Sequence, residues 1–313
     1  MPHAKYDRLI AQCAALAPVP TAVVHPCDAA SLAGALQAAA AGLIVPLLVG
    51  PEARLRRIAG EEGLDISHCR LIDAPHSHAS ADTGVALVRT SEAAALMKGS
   101  LHTDELMAAV VHRETGIRTA RRISHVFIMD VPTYPKLLFI TDAAVNITPT
   151  LDDKVDIVAN AIELAQALGV AVPKVAILSA IETVSAKIPS TIDAAALCKM
   201  ADRGQIKGAV LDGPLAFDNA ISKEAAAMKG IVSPVAGDAD ILLVPDLEAG
   251  NMLAKELTFL ANADAAGIVL GARVPIVLTS RADSVRARLA SAAVAAIYAH
   301  ARQIIAAQGR PAE

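Results

Sequence analysis

The residues best suited to chemistry are Thr279, Ser280, Arg281 and Asp283, which follow the apolar run Ile276-Val277-Leu278 and precede a long helical pattern. Hydroxyls, a guanidinium and a carboxylate at the end of a buried strand fall in the crevice beyond its carboxyl end, where open α/β sheets bind ligands. Asp283 and Ser284 suit a helix N-terminus, whose free N–H groups favour an anion. A phosphate or carboxylate is therefore expected beside them. The alternative for Ser280 and Asp283 is helix capping alone.

Two further donor clusters stand out. Lys98-Gly-Ser100 with Thr103 follows a strand pattern and offers an anion cradle. Arg113, Arg118, Arg121 and Arg122 surround Gly116, between a helix and a strand; they read equally as a phosphate-gripping loop or as a solvated charged face. Asn251, after Gly250, is either a substrate donor at a helix start or an N-cap. His76-Ser-His78 lies in a polar stretch without acidic or cysteine partners and reads as a solvated loop. His125 sits in an apolar strand and reads as a hydrogen-bonded core or edge histidine rather than a general acid or base. No G-x-G-x-x-G after a strand, G-x-x-x-x-G-K-[ST] or G-x-S-x-G is present, so dinucleotide, P-loop and α/β-hydrolase readings weaken.

Apolar runs alternating with amphipathic stretches must position these groups, and they predict βα units with helices on both faces of a parallel sheet. Strands are predicted at 22–24, 44–49, 68–72, 94–97 and 123–129, with 137–141 returning antiparallel after the Pro132–Pro135 turn. A second series is predicted at 174–178, 208–211, 241–244, 267–270 and 275–278. Its ends are Ser179-Ala-Ile-Glu-Thr183, Asp212-Gly-Pro214, Pro245–Asn251 and Thr279-Ser-Arg281. Four such ends on one edge would form a site, although each alone is an ordinary turn. Helices are predicted at 29–41, 151–168 and 283–307. The long final helix can cross back, giving a discontinuous first domain, 1–138 plus 285–313, and a second domain, 139–284.

With 54% hydrophobic but only 2% aromatic residues and no Trp, the core must be filled by Ala, Val, Ile and Leu. That argues against single-stranded nucleic-acid platforms, which need stacking aromatics. A net charge of -4 argues against polyanion-binding surfaces in general. Cys13, Cys27, Cys69 and Cys198 lack metal or disulfide spacing, which predicts a reducing, cytoplasmic setting. Met1–Lys5 does not begin a secretory leader, and no segment offers the ~20 apolar residues of a membrane span. The Ala-rich stretches, broken by charges, read as solvent-contacting helices.

Met97-Lys-Gly99, Gly116-Ile-Arg118, Thr141–Asn146, Asp212–Asn219, Pro245–Asn251 and Thr279–Ser284 occur in an order that resembles the phosphate acetyltransferase and phosphate butyryltransferase family from about Lys98 onward. The resemblance implies transfer of a short acyl group between coenzyme A and orthophosphate. It also implies two three-layer α/β/α domains with an interdomain cleft, like isocitrate and isopropylmalate dehydrogenases, and a homodimer or higher oligomer. It assigns catalysis to Ser280 and Arg281, with Asp283 the nearest carboxylate, and substrate binding to Lys98, Thr103, Arg118, Asn251 and Thr279. Asp142 and Asn146 would organise the domain boundary. No metal and no cofactor is implied, since the thioester is itself a substrate. Acetyl-specific members place an Asp where this chain has Ala287, leaving Asp283, solvent or the phosphate as base. The Ser179–Val184 wording is closer to the butyryl branch. Competing expectations are an NAD(P)-dependent decarboxylating dehydrogenase of the same fold and a non-catalytic acyl-CoA or acyl-phosphate sensor.

Overall fold

The computed structural model describes residues 4–278 and 284–307. In chain order the helices are α1 (Ala4–Gln12), α2 (Ala29–Ala40), α3 (Glu52–Glu61), α4 (Ser77–Arg89), α5 (Thr103–Val111), α6 (Leu151–Ala167), α7 (Pro189–Asp202), α8 (Phe217–Ile221), α9 (Lys223–Met228), α10 (Leu247–Leu260) and α11 (Val285–Ala307). The strands are β1 (Val19–Val24), β2 (Ile44–Gly50), β3 (Arg70–Asp73), β4 (Ala95–Lys98), β5 (Ser124–Asp130), β6 (Leu138–Thr141), β7 (Lys174–Leu178), β8 (Val210–Leu215), β9 (Ile241–Leu243), β10 (Asp264–Leu270) and β11 (Ile276–Val277). Every predicted strand is present, most within a residue or two of the expected bounds. The fold is mixed α/β, built on a large sheet.

The chain divides into two compact units. The first comprises Tyr6–Arg121 with the chain from Ala266 onward. Its strands run in the order β3-β2-β1-β4-β11-β10, parallel throughout except for β10, which is antiparallel to β11. Val23, Val24, Leu48, Val49 and Leu96 are fully buried, as continuous apolar runs covered on both faces require. At the edge, β3 is largely exposed. Asp28 caps α2 by accepting from the Ser31 N–H at 2.7 Å, and Gly42 ends that helix at φ 71°, a conformation glycine adopts without strain. Packing pairs α2 with α11 and α4 with α5. Contrary to the reading of Ala-rich segments as solvent-contacting, Ser291–Ala299 of α11 is buried along its whole length, since the helix packs on β4, β11 and α2.

The second unit comprises Arg122–Ala265 together with Ala4 and Lys5. Its strand order is β5-β6-β9-β7-β8; β6, β9, β7 and β8 are parallel, and β5 is the expected antiparallel partner of β6. Tyr134 fixes the intervening turn, its hydroxyl donating to the Ala239 carbonyl at 2.6 Å. Met129, Ile140, Ala176, Leu215, Leu242 and Val244 form part of the core.

The compact units divide the chain at 121/122 and 265/266, whereas the sequence suggested 138/139 and 284/285. At the second of these boundaries the difference lies in β11. Ile276 and Val277 pair with Leu96 and Met97 of β4, and burying these two side chains contributes roughly 1.5–3 kcal/mol each. The last strand of the chain therefore completes the first sheet.

All four cysteines are free thiols. Burial pushes Cys13 up to about 11 and Cys198 up to about 12, and raises Cys27 and Cys69 as well.

Candidate active site

In the first unit the parallel strands β1, β4 and β11 share one carboxyl edge. Val24 is level with Lys98, and the Val277–Met97 pairing brings Leu278 level with Lys98 in turn. The chain thus enters the hydroxyl–guanidinium segment beside Lys98. Thr279, Ser280, Arg281 and Asp283 themselves lie outside the described residues. On the far side of that segment, the Ser284 hydroxyl accepts from the Ala287 N–H at 3.1 Å and starts α11.

Two of the predicted binding residues stand at this edge. The Lys98 ammonium donates to the carbonyls of Gly99 and Leu101, at 3.2 and 3.0 Å, and so folds over its own loop. Thr103 is the exposed first residue of α5, whose start is fixed by Glu105 accepting from the His102 N–H at 2.9 Å. Gly99 is needed for close approach: a Cβ there would lie 2.5 Å from the carbonyl oxygens of both Val24 and His25.

Beside this loop is an open cavity of about 380 Å³, lined in part by His25, Cys27, Asp28, Arg54, Ser100 and Glu105. His25 follows β1 in a left-handed conformation, φ 54°. Its carbonyl accepts from the N–H groups of Cys27 and Ser100 and from the Ser100 hydroxyl, at 2.8, 2.9 and 2.9 Å. These three bonds secure a backbone geometry that is costly for a residue with a Cβ. The Ser80 hydroxyl donates to the His76 carbonyl at 2.9 Å, leaving its oxygen to accept from His25 Nδ1 at 3.0 Å. Burial and the nearby Arg54 guanidinium lower the His25 pKa, with Glu105 opposing them. These influences favour the uncharged imidazole. Arg54 is held by donating to the Cys27 carbonyl at 3.0 Å. A guanidinium, a neutral imidazole and hydroxyls in one recess can bind a small anionic or polar group. The only hint of His25 in the sequence is His-Pro directly after an apolar run.

His76 and His78 are both exposed, as expected, but only His76 is in the turn; His78 lies on the first turn of α4. His76 Nδ1 caps α4 by accepting from the Ala79 N–H at 3.2 Å, and His78 on the first turn reaches Glu105 at 3.3 Å. A histidine nitrogen here takes the place of the usual Asp or Ser oxygen, which is why the helix start was not legible.

Arg118 stands elsewhere. It bridges to Ala272 in the turn between β10 and β11, and α5 has by then carried the chain back from the carboxyl edge to the amino edge. The length of β4, about 13 Å at the usual rise, separates it from the Lys98 loop. Of the other arginines in that cluster, Arg122 binds Asn146 Oδ1 at 2.7 Å and Asp153 at 2.9 Å within the second unit.

In the second unit Asn251 is neither cap nor helix start. Asp246 caps α10, accepting from the Ala249 N–H at 2.9 Å, and Asn251 donates from within the helix to the Ala143 carbonyl at 3.2 Å. Gly250 permits this approach, since its Cβ would lie 2.9 Å from the Asp142 carbonyl. The buried Asp142 carboxylate accepts the N–H groups of Ala144, Val145 and Asn146 at 3.0–3.1 Å and so closes the loop. His125 is buried nearby; desolvation lowers it to about 4, although the Asp142 charge pulls upward. The ring is buried as expected, and its Nδ1 has no hydrogen-bond partner among the described residues. Asp212-Gly-Pro214 lies inside β8, which continues to Leu215 past a register shift, and is not the strand end expected. Glu182, Asn219 and Lys229 form a cluster that was not foreseen, with Lys229 on Glu182 at 2.6 Å and Asn219 also bonded to Glu182.

Among the described residues no group of three or more His, Cys, Asp or Glu side chains could hold a metal ion. No helix of the described residues is long and apolar enough to cross a membrane.

Parallel strands whose shared carboxyl edge carries Lys98 and leads into a hydroxyl–guanidinium segment define an α/β enzyme scaffold of the anion-handling kind. The chain matches the family described as Phosphate acetyl/butaryl transferase over residues 78–296, and it belongs to that family. It is 67% identical over 299 residues to a protein of Rhizobium meliloti named phosphate acetyltransferase, covering 96% of this chain and 95% of the relative. A Clostridium acetobutylicum protein named phosphate butyryltransferase is 43% identical, covering 82% of this chain and 86% of the relative. A solved branched-chain phosphotransacylase from Enterococcus faecalis superposes with a TM-score of 0.78 at 32% identity, covering 90% of this chain and 99% of that one.

Proposed function

We propose that this chain exchanges a short acyl group between coenzyme A and orthophosphate: acyl-CoA + phosphate = acyl phosphate + CoA. The observation that carries this reading is the 67% identity, over nearly the full length of both chains, to the protein named phosphate acetyltransferase. A phosphate oxygen attacks the thioester carbonyl, the tetrahedral oxyanion collapses, and the C–S bond breaks to release the thiolate, which is then protonated. Arg281 binds the phosphate oxygens, and Ser280 donates to the oxyanion or sulfur, where preorganised donors are most effective. Lys98 and Thr103 extend that edge toward substrate, and Thr279 is assigned to binding by family likeness. Arg118, at the opposite edge of the same sheet, supports binding only at a distance from Lys98, and Asn251 is assigned to substrate binding by family likeness.

The base is not at position 287. Ala287 is only 6% exposed, so a carboxylate there would be desolvated. In the direction written, the proton lost by the attacking phosphate balances the one the thiolate takes up; in reverse the coenzyme A thiol, which resembles free cysteine in acidity, gives its proton to Asp283, solvent or phosphate. Acetyl is the favoured acyl group, because the butyryl-named relative is much less similar than the acetyl-named one and the loop wording closer to the butyryl branch does not measure pocket width.

Each unit is read as a three-layer α/β/α domain of the isocitrate/isopropylmalate dehydrogenase kind; in the first, the α2–α11 and α4–α5 pairings support two helical layers about the sheet. The enzyme is further read as cytoplasmic, consistent with four free thiols, free of a resident cofactor, and homo-oligomeric. Exposed Met252, Phe259 and Leu260 on α10 support the last point, which sedimentation velocity would check.

The deciding experiment follows phosphate-dependent release of free CoA from acetyl-, propionyl- and butyryl-CoA. Turnover fastest with acetyl-CoA is expected; no turnover with any of the three would overturn the reading.

A further inference from the structure

At the amino edge of the first sheet, opposite the Lys98 loop, lies a second open groove of about 380 Å³. Arg89, Arg273 and Arg302 face it, and Val88, Pro275 and Ala299 supply an apolar wall. Among the described residues that line it there is no Asp or Glu. Arg89 and Arg273 are exposed and are in none of the ion pairs among the described residues; Arg89 donates to the Thr115 carbonyl at 3.5 Å. Arg302 is held in place, donating to the Ala272 carbonyl at 3.1 Å and lying 5.9 Å over the Tyr298 ring. Three guanidinium groups of one sign around a recess attract a multivalent oxyanion, and Arg presents its donors in a fork that fits phosphate. The volume matches the lower range of small-molecule sites.

We propose that this groove binds a small organic phosphate carrying two or more negative charges, and that its occupancy alters acyl transfer. The second half of the proposal follows from connectivity and rests on the reading of the chain as an acyltransferase. Pro275 on the groove is one residue before β11, which runs directly into Thr279–Asp283, while Ala299 and Arg302 belong to α11, the helix that leaves the same segment. A ligand in the groove therefore touches the elements on both sides of the proposed catalytic segment. Differential binding to two arrangements of β11 and α11 would couple the sites.

The test uses the full chain and ADP as probe, titrated by calorimetry without CoA, whose own phosphates would compete for the groove, and R89A/R273A separates the groove from the catalytic site. Wild type is expected to bind ADP, and R89A/R273A, which alters only exposed side chains, to bind ~10-fold more weakly or worse. Arg302→Lys, which keeps charge but not the fork, should also weaken binding. In wild type ADP should shift the KM for phosphate by about fivefold or more, and in R89A/R273A it should not, while the variant's turnover without ADP stays unchanged. Equal ADP binding by wild type and variant, or none by either, overturns the site. Binding without any kinetic effect overturns the coupling. Should no acyl-CoA turn over at all, calorimetry still decides whether the groove binds.

Discussion

The hydroxyl of Ser280 and the guanidinium of Arg281 are assigned by sequence likeness, so the sharpest check is chemical. Ser280→Ala should lower kcat by ~100- to 1000-fold, as loss of one preorganised oxyanion donor does, while the thermal midpoint is unchanged. A drop confined to the midpoint would make Ser280 a structural cap. His125 gives a prediction of a different kind. Its folded pKa of about 4 lies below the ordinary value of 6.5, so the unfolded chain binds more protons between these pH values and stability rises with pH across that window. Urea midpoints measured from pH 4 to 7 should climb in wild type. In His125→Gln the slope should flatten; an unchanged slope would assign the pH dependence to other groups.

At the level of elements, the Lys98 loop is possible because nothing larger than hydrogen fits at position 99. Gly99→Ala should destabilise by about 1–3 kcal/mol, since the new methyl meets two carbonyl oxygens at 2.5 Å, and acyl transfer should fall with it. Thermal unfolding and CoA release measured on one preparation check both. This crowding was invisible in the sequence, where Lys98-Gly-Ser100 read only as a donor cluster; it depends on His25 and Val24, more than seventy residues away. The strands were legible because near-continuous apolar runs such as Ile44–Val49 have little alternative to a buried strand. The start of α4 was not, because His76 caps it in place of the usual residue types. The reach of β8 through Asp212-Gly-Pro214 was hidden for a related reason: Gly and Pro signal turns, whereas here Gly213 fits a narrow place against Ile177, where a Cβ would lie 2.8 Å from the carbonyl.

For the molecule as a whole, the sequence showed an α/β enzyme and its reaction class but not which strands belong together. Composition predicts that a strand is buried, while its neighbours are set by pairing between segments far apart, as β11 shows by joining β4. Arg118 illustrates the same limit, since a motif shared with a family does not say on which edge of a sheet it lies. Exhaustive dialysis against EDTA should leave turnover within about twofold, in keeping with the proposed metal-free displacement by phosphate; loss of activity restored by a divalent ion would revise that mechanism. The four thiols carry one more implication. All are shifted away from the reactive thiolate, two of them to about 11 and about 12, whereas released coenzyme A is an ordinary solvent-facing thiol. In the native enzyme near pH 8, a disulfide colour reagent should therefore read product with almost no background from the protein, and any rise in that background would report unfolding in the cuvette.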